Sequence, residues 1–137
     1  MAILGVGLDI VELTRIERVH ARHGEAFIRR FCRPGEWQPR RGAALIEHLG
    51  GLFAAKEAVL KALGTGWAAG LAPLQVEVVR QASGAPTIRL HAAAAERAAV
   101  LGGERIHLSI THERSYAAAV AILEGTATEP ESGHRNE

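Results

Sequence analysis

Two carboxylates and two lysines carry the strongest signs of chemistry in this 137-residue chain. Asp9 closes an apolar run, residues 3–8, that reads as a short buried strand, and Glu57 sits among apolar neighbours in a helical pattern. A carboxylate at a strand end and another on a helix can meet at one cleft. Two such groups, with positions left for water or phosphate, suit Mg²⁺, which takes oxygen ligands and dehydrates reluctantly. The same residues also fit plainer duties: Asp9 as a helix cap, and Glu57 in a surface ion pair with Lys61, four residues on and so on the same helix face. Lysine is scarce here, since fourteen of the sixteen basic residues are arginine. Where such a chain keeps Lys56 and Lys61, a compact ammonium rather than a planar guanidinium is what the position asks for. Beside Glu57, Lys61 then reads as a phosphate-binding ammonium next to a metal ligand. Gly64-Thr65-Gly66 stops the helix and lets backbone approach a phosphate, without being a Walker motif. His112 follows the strand pattern of residues 106–111, a position that lines a cleft or faces solvent. The other histidines show no metal-ligand spacing, and the absence of H-x-x-x-H, C-x-x-C and G-x-S-x-G gives a zinc site or a serine hydrolase little support.

These residues need elements to hold them. After the strand at residues 3–8, apolar positions at helical spacing predict helices over 11–23 and 25–31, with Gly24 between them. The longest helical pattern covers 43–63, with Gly50-Gly51 inside it either as a close-packing point or as a break. Strands follow at 75–80 and 87–90 around a Ser83-Gly84-Ala85-Pro86 turn, then an alanine-rich helix at 92–101 and strands at 106–111 and 116–123. That order is α+β: a small antiparallel sheet packed with a long helix. Residues 1–124 form one domain, and the polar, aperiodic residues 125–137 read as a disordered tail.

Composition narrows the partners. Hydrophobic residues make up 47% and aromatics only 4%, so the core is built mainly from Ala, Leu, Val and Ile. No apolar run nears the roughly 20 residues of a membrane helix, and the N-terminus lacks the basic leader of a signal peptide. The single cysteine, Cys32, excludes an internal disulfide and suits a reducing cytoplasm. Net charge is only +1, yet residues 15–41 hold eight arginines against Glu17, Glu25 and Glu36, a local balance of +5. Arg15, Arg18 and Arg22 form one stripe on the first helix, with Val19 beside them. Such a patch favours an acidic partner. Nucleic acid is the weaker choice, because the segment offers only Phe27, Phe31 and Trp37 as aromatics and no recognition motif.

Taken together the segments resemble the holo-acyl-carrier-protein synthase family, the small 4′-phosphopantetheinyl transferases. Gly5-Val6-Gly7-Leu8-Asp9-Ile10-Val11-Glu12 is similar to the family's opening motif. The run Phe53-Ala54-Ala55-Lys56-Glu57-Ala58 through Lys61 to Gly64-Thr65-Gly66 is similar to its central motif. Ser109-Ile110-Thr111-His112 resembles its C-terminal motif. The resemblance implies the 4′-phosphopantetheinyl transferase fold and transfer of the phosphopantetheine arm of coenzyme A to a serine of an apo acyl carrier protein, releasing adenosine 3′,5′-bisphosphate. It implies Mg²⁺ on Asp9 and Glu57, coenzyme A contacts at Lys61, Gly64, Thr65, Gly66, Thr111 and His112, and catalytic duty for Asp9, Glu57, Lys61 and His112. It further implies an acidic carrier on Arg15, Arg18, Val19 and Arg22, and a homotrimer with His112 supplied by a neighbouring subunit. Leu52 stands where many relatives carry Arg. Whether the carrier serves fatty acid or polyketide biosynthesis stays open, as does the general base.

Overall fold

The computed structural model describes residues 1–64 and 70–128. In chain order the elements are β1 (Ala2–Glu12), α1 (Leu13–His23), α2 (Glu25–Phe31), α3 (Gly42–Ala62), β2 (Val76–Arg80), β3 (Pro86–Leu90), α4 (Ala92–Leu101), β4 (Gly103–His112) and β5 (Tyr116–Gly125), with a short 3₁₀ turn at Pro73–Gln75. The α+β expectation is met. Strands β1, β5 and β4 make one antiparallel sheet in that order, and β2 pairs with β3 as a separate antiparallel hairpin.

Helix α3 is the axis of the molecule. Leu49, Leu60 and Leu63 in and beside it are fully buried, each contributing about 1.5–3 kcal/mol of transfer free energy. Half of its buried positions are small: Gly50, Gly51, Ala54, Ala55, Ala58 and Ala62. Small residues let strands come unusually close. A methyl group added at Gly5 would overlap the Ala62 carbonyl oxygen, and one at Gly7 the Ala58 carbonyl oxygen, so the β1 backbone lies directly on the helix. The glycine pair inside α3 is a packing point and not a break: a Cβ at Gly51 would press on Ile110 of β4 at 3.2 Å, and the helix runs on unbroken.

Two boundaries differ from expectation for identifiable reasons. β1 does not stop at Asp9 but continues to Glu12, with Asp9 half-buried on the inner side between Gly7 and Val11 and the apolar Val6, Leu8 and Ile10 facing out. Asp9 is therefore a mid-strand residue and caps no helix. β4 begins at Gly103, because pairing with β5 carries the polar Glu104 and Arg105 into the sheet. Gly24, at φ 58°, serves as the joint between α1 and α2, in a left-handed backbone region that costs glycine little. Gly125 completes β5, and the Thr126 N–H donates to the Gly102 carbonyl; the tail expectation beyond Thr128 falls outside the described residues.

Candidate active site

Asp9 comes from β1 and Glu57 from α3, which packs straight against it through Gly7. The two carboxylates meet at a concavity of about 280 Å³ whose walls also include Ile10, Val11, Arg15 and Phe53. Phe53 was not singled out from sequence, although its place one turn before Glu57 puts it on the same helix face. Burial raises the Glu57 pKa above the usual carboxylate range, the Asp9 charge raises it further, and Lys61 and Arg15 partly offset both. One oxygen of Glu57, Oε1, is buried without a hydrogen-bond partner. A buried, unpartnered carboxylate oxygen next to a second carboxylate is costly unless a cation sits between them.

Lys61 does not pair with Glu57. Its Nζ donates to Asp9 Oδ1 at 3.0 Å and to the Leu8 carbonyl at 2.9 Å, bridging from α3 back to β1. The i,i+4 pairing allowed by helix geometry thus loses to a contact across 52 residues of sequence. Lys56, the other lysine, points into the core. It is wholly buried and lies 2.9 Å from both oxygens of Glu36. It also donates to the Pro73 carbonyl at 3.2 Å and to the Val76 carbonyl. Glu36 in turn accepts the backbone N–H groups of Arg33 and Val78. Because Glu36 is inside, it does not offset the surface arginines, and the outward charge of residues 15–41 is more positive than the sequence balance indicates.

His112 lies elsewhere. Asp9 pairs with Ala119 and Ala119 with Ile110, so His112 stands two strands from Asp9, roughly 10 Å in the hydrogen-bonding direction, at the opposite edge of the sheet. There its Nδ1 is 3.9 Å from Glu47 Oε2. It lines a concavity of about 280 Å³, which adjoins one of about 400 Å³ through the shared Arg40, His48, Leu52 and Arg80. His48 is held below its ordinary pKa by burial and by the charges of Arg40 and Arg80, partly offset by its contact with the Glu36 carbonyl. The grouping of Arg40, His48 and Arg80 is not among the sequence expectations, since residues 8 to 40 positions apart on three segments give no joint local signal. Leu52 is itself buried between them.

Arg15, Arg18 and Arg22 are exposed on α1, with Val19 half-buried among them, and Arg15 is the member that reaches the Asp9–Glu57 concavity. The stripe therefore starts at the mouth of that site. The α1 register is set by the Leu13 N–H, which donates to the Ser115 carbonyl in the β4–β5 turn at 2.9 Å. Gly64 follows the α3 C-cap residue Leu63 and is exposed, whereas Thr65 and Gly66 lie outside the described residues. Thr111 is exposed on the outer face of the sheet, and His112 next to it falls on the inner one. Cys32 is buried, and its thiol is pushed up to about 12, so it stays protonated and inert. A further groove of about 400 Å³ between α1 and the start of α3 contains none of the candidate site residues.

Among the described residues no three His, Cys, Asp or Glu side chains cluster as a closed metal cage. Two carboxylates alone fit Mg²⁺, which keeps water and substrate phosphate in its shell, and the orphaned Glu57 oxygen supplies a free ligand atom. No helix among the described residues is long and apolar enough to cross a membrane.

Comparison with known proteins agrees with this architecture. The profile of the 4′-phosphopantetheinyl transferase superfamily matches residues 5–121. A holo-[acyl-carrier-protein] synthase of Yersinia enterocolitica is 50% identical over 125 residues, 90% of this chain and 99% of that one. The crystal structure of holo-[acyl-carrier-protein] synthase from Neisseria meningitidis superposes with a TM-score of 0.80 at 31% identity, covering 90% of this chain and 99% of that one. The enzyme from Bacillus anthracis, solved in complex with CoA (3′,5′-ADP), gives 0.74 at 33% identity, covering 90% and 98%. With half its residues shared along nearly the whole length and the fold in common, the chain belongs to the holo-acyl-carrier-protein synthase family within the 4′-phosphopantetheinyl transferase superfamily.

Proposed function

We propose that this enzyme transfers the 4′-phosphopantetheine arm of coenzyme A to a serine of an apo acyl carrier protein and releases adenosine 3′,5′-bisphosphate, with Mg²⁺ as its cofactor, in the cytoplasm. The observation that carries the metal assignment is the buried, unpartnered Oε1 of Glu57, a residue that lines the same concavity as Asp9. Mg²⁺ held there would neutralise charge on the coenzyme pyrophosphate as the phosphoryl group moves. Lys61 is the mobile cation of the site, half-exposed and able to reach a phosphate oxygen as negative charge grows on the leaving bisphosphate. Ile10, Val11 and Phe53 wall the concavity and limit water beside the reacting phosphate. Arg15 joins the site to the basic stripe, so an acidic carrier docked on Arg18, Val19 and Arg22 would bring its serine to the mouth. The compositional case for nucleic acid is weaker, because no aromatic platform accompanies that stripe.

The second phosphate-bearing end of coenzyme A needs its own cations. Arg40 and Arg80 supply them, with His48 and His112 as hydrogen-bonding imidazoles beside them and Gly64, Thr65, Gly66 and Thr111 as further contacts; His112 stands at the β4 edge of the sheet while Asp9 stands at the β1 edge. The two halves meet on one ligand when the β1 edge of one copy faces the β4 edge of another. The outer face of the sheet supports the answer. Val6, Leu8 and Ile10 are 59%, 66% and 65% exposed, and β5 extends the same apolar surface through Val120 and Ile122. An uncovered apolar face of this kind marks an interface. A head-to-tail contact that closes by rotation sets the β1 edge of one copy against the β4 edge of the next. A homotrimer with three sites between subunits is the reading.

The test is mass spectrometry of candidate apo-carriers incubated with the protein, coenzyme A and Mg²⁺. A gain of one phosphopantetheine on serine, abolished by EDTA, is expected; no gain on any carrier overturns the reading. The same assay tests the shared site. His112→Ala and Glu57→Gln chains, each silent alone, should regain partial transfer after mixing, and no recovery after demonstrated subunit exchange overturns the intersubunit site.

A further inference from the structure

The Lys61–Asp9 contact raises a question that the transfer reaction alone does not. The ammonium that should meet phosphate is found bonded to a carboxylate that should meet the metal. Lys61 Nζ takes two acceptors from β1, Asp9 Oδ1 at 3.0 Å and the Leu8 carbonyl at 2.9 Å. The two partners differ in freedom: the Lys61 side chain is 53% exposed and Asp9 only 16%. Lys61 can swing to solvent, and Asp9 cannot follow it. Two carboxylates, Asp9 and Glu57, then face two cations, Lys61 and Arg15, so without ligand the site has no net charge to attract a divalent ion. Phosphate changes that balance, because it offers the ammonium another anion.

We infer that Lys61 is a resident counter-ion of Asp9, displaced when a divalent cation enters, and that this displacement couples metal binding to polyphosphate binding. The inference rests on the metal assignment proposed above. With Lys61 on Asp9, a bare divalent cation meets a like charge at one of its ligands. Once the ammonium turns to a phosphate oxygen, both carboxylates are available and the negative charge of the site rises. Each ligand thus favours the other, and the effect is reciprocal. Lysine suits the role better than arginine, whose planar fork would hold the Asp9 carboxylate through two parallel hydrogen bonds and release it less readily.

The experiment measures Mn²⁺ binding to the full chain without coenzyme, read from the paramagnetic resonance of the free ion. Lys61→Met should bind bare Mn²⁺ about 10-fold more tightly than wild type, the order expected when one like charge leaves a half-exposed site. Lys61→Gln should follow it, and Lys61→Arg should bind no more tightly than wild type. Coenzyme A should then tighten Mn²⁺ binding by a larger factor in wild type than in Lys61→Met. Equal Mn²⁺ affinities in wild type and Lys61→Met, or equal effects of coenzyme A on the two, overturn the inference and leave the metal site standing. Mn²⁺ binding to Asp9→Asn as tight as to wild type overturns the metal assignment and the inference with it.

Discussion

The two lysines of this chain sit five residues apart on one helix and meet opposite fates. Around Lys56 every polar atom has a partner: a carboxylate, two carbonyls, and beyond them the backbone N–H groups that complete Glu36. Around Lys61 the accounts are left open, with the ammonium half in water, its carboxylate on the rim of a concavity, and a neighbouring carboxylate oxygen with nothing to bond. A saturated buried network fixes one conformation. An unsaturated one beside a cavity stores an unmet interaction that a ligand can satisfy. The difference separates a residue that holds the fold from one that works on a substrate, although both are lysines next to acids within the same motif.

The largest effect that bears on this contrast is on stability. Lys56→Met leaves the Glu36 charge buried and should destabilise the fold by about 3–5 kcal/mol, read from the urea midpoint. The pair Lys56→Met with Glu36→Gln should recover much of that loss, since removing both charges strands neither. Near-wild-type stability of Lys56→Met would break the comparison. Glu57→Gln should do the reverse. Transfer should fall roughly 10²–10³-fold through loss of an anionic ligand, while the urea midpoint stays level or rises because a costly buried charge is gone. A drop in stability as large as that of Lys56→Met would erase the distinction between the two regions.

The smallest effect lies at the surface, beyond both lysines. Arg22→Glu should raise the KM for an acidic carrier by about 5- to 10-fold while leaving that for coenzyme A unchanged, because charges at an interface rim act mainly on association. Raising salt from about 0.05 to about 0.5 M should weaken wild-type carrier docking, and Arg22→Glu should respond less. An unchanged carrier KM would remove α1 from the docking surface.

Most of the architecture was legible in sequence, because period and punctuation gave it away. Gly24 marks the α1–α2 joint, and α2 and α4 start and end where the pattern placed them. The site residues Asp9 and Glu57 were legible as types able to bind a metal, and they do meet. In sequence Asp9 reads as a strand end, whereas β1 runs on to Glu12, because a carboxylate on an inward position looks like a stop until the cleft it faces is known. The partner of Lys61 was hidden for a different reason: helix spacing offers Glu57, and only tertiary packing brings Asp9 closer. Lys56 stands out in sequence by scarcity alone, and nothing local points to Glu36, twenty residues away. Arg40 shows in sequence only as part of the basic segment, and its grouping with His48 and Arg80 gives no signal, since three separate segments bring them together.

The direct seating of β1 on α3 through Gly5 and Gly7 has a consequence for how the site tolerates change. Between most strands and helices lies a layer of side chains, and any alteration in their volume moves the two elements apart or together. Here strand backbone rests on helix backbone, with nothing compressible between. Asp9, two residues past Gly7, and Glu57, beside Ala58, therefore take their spacing from a hard stop. The aliphatic remainder of the core can drift in size and shape over generations of substitution while the gap between the two carboxylates keeps its gauge.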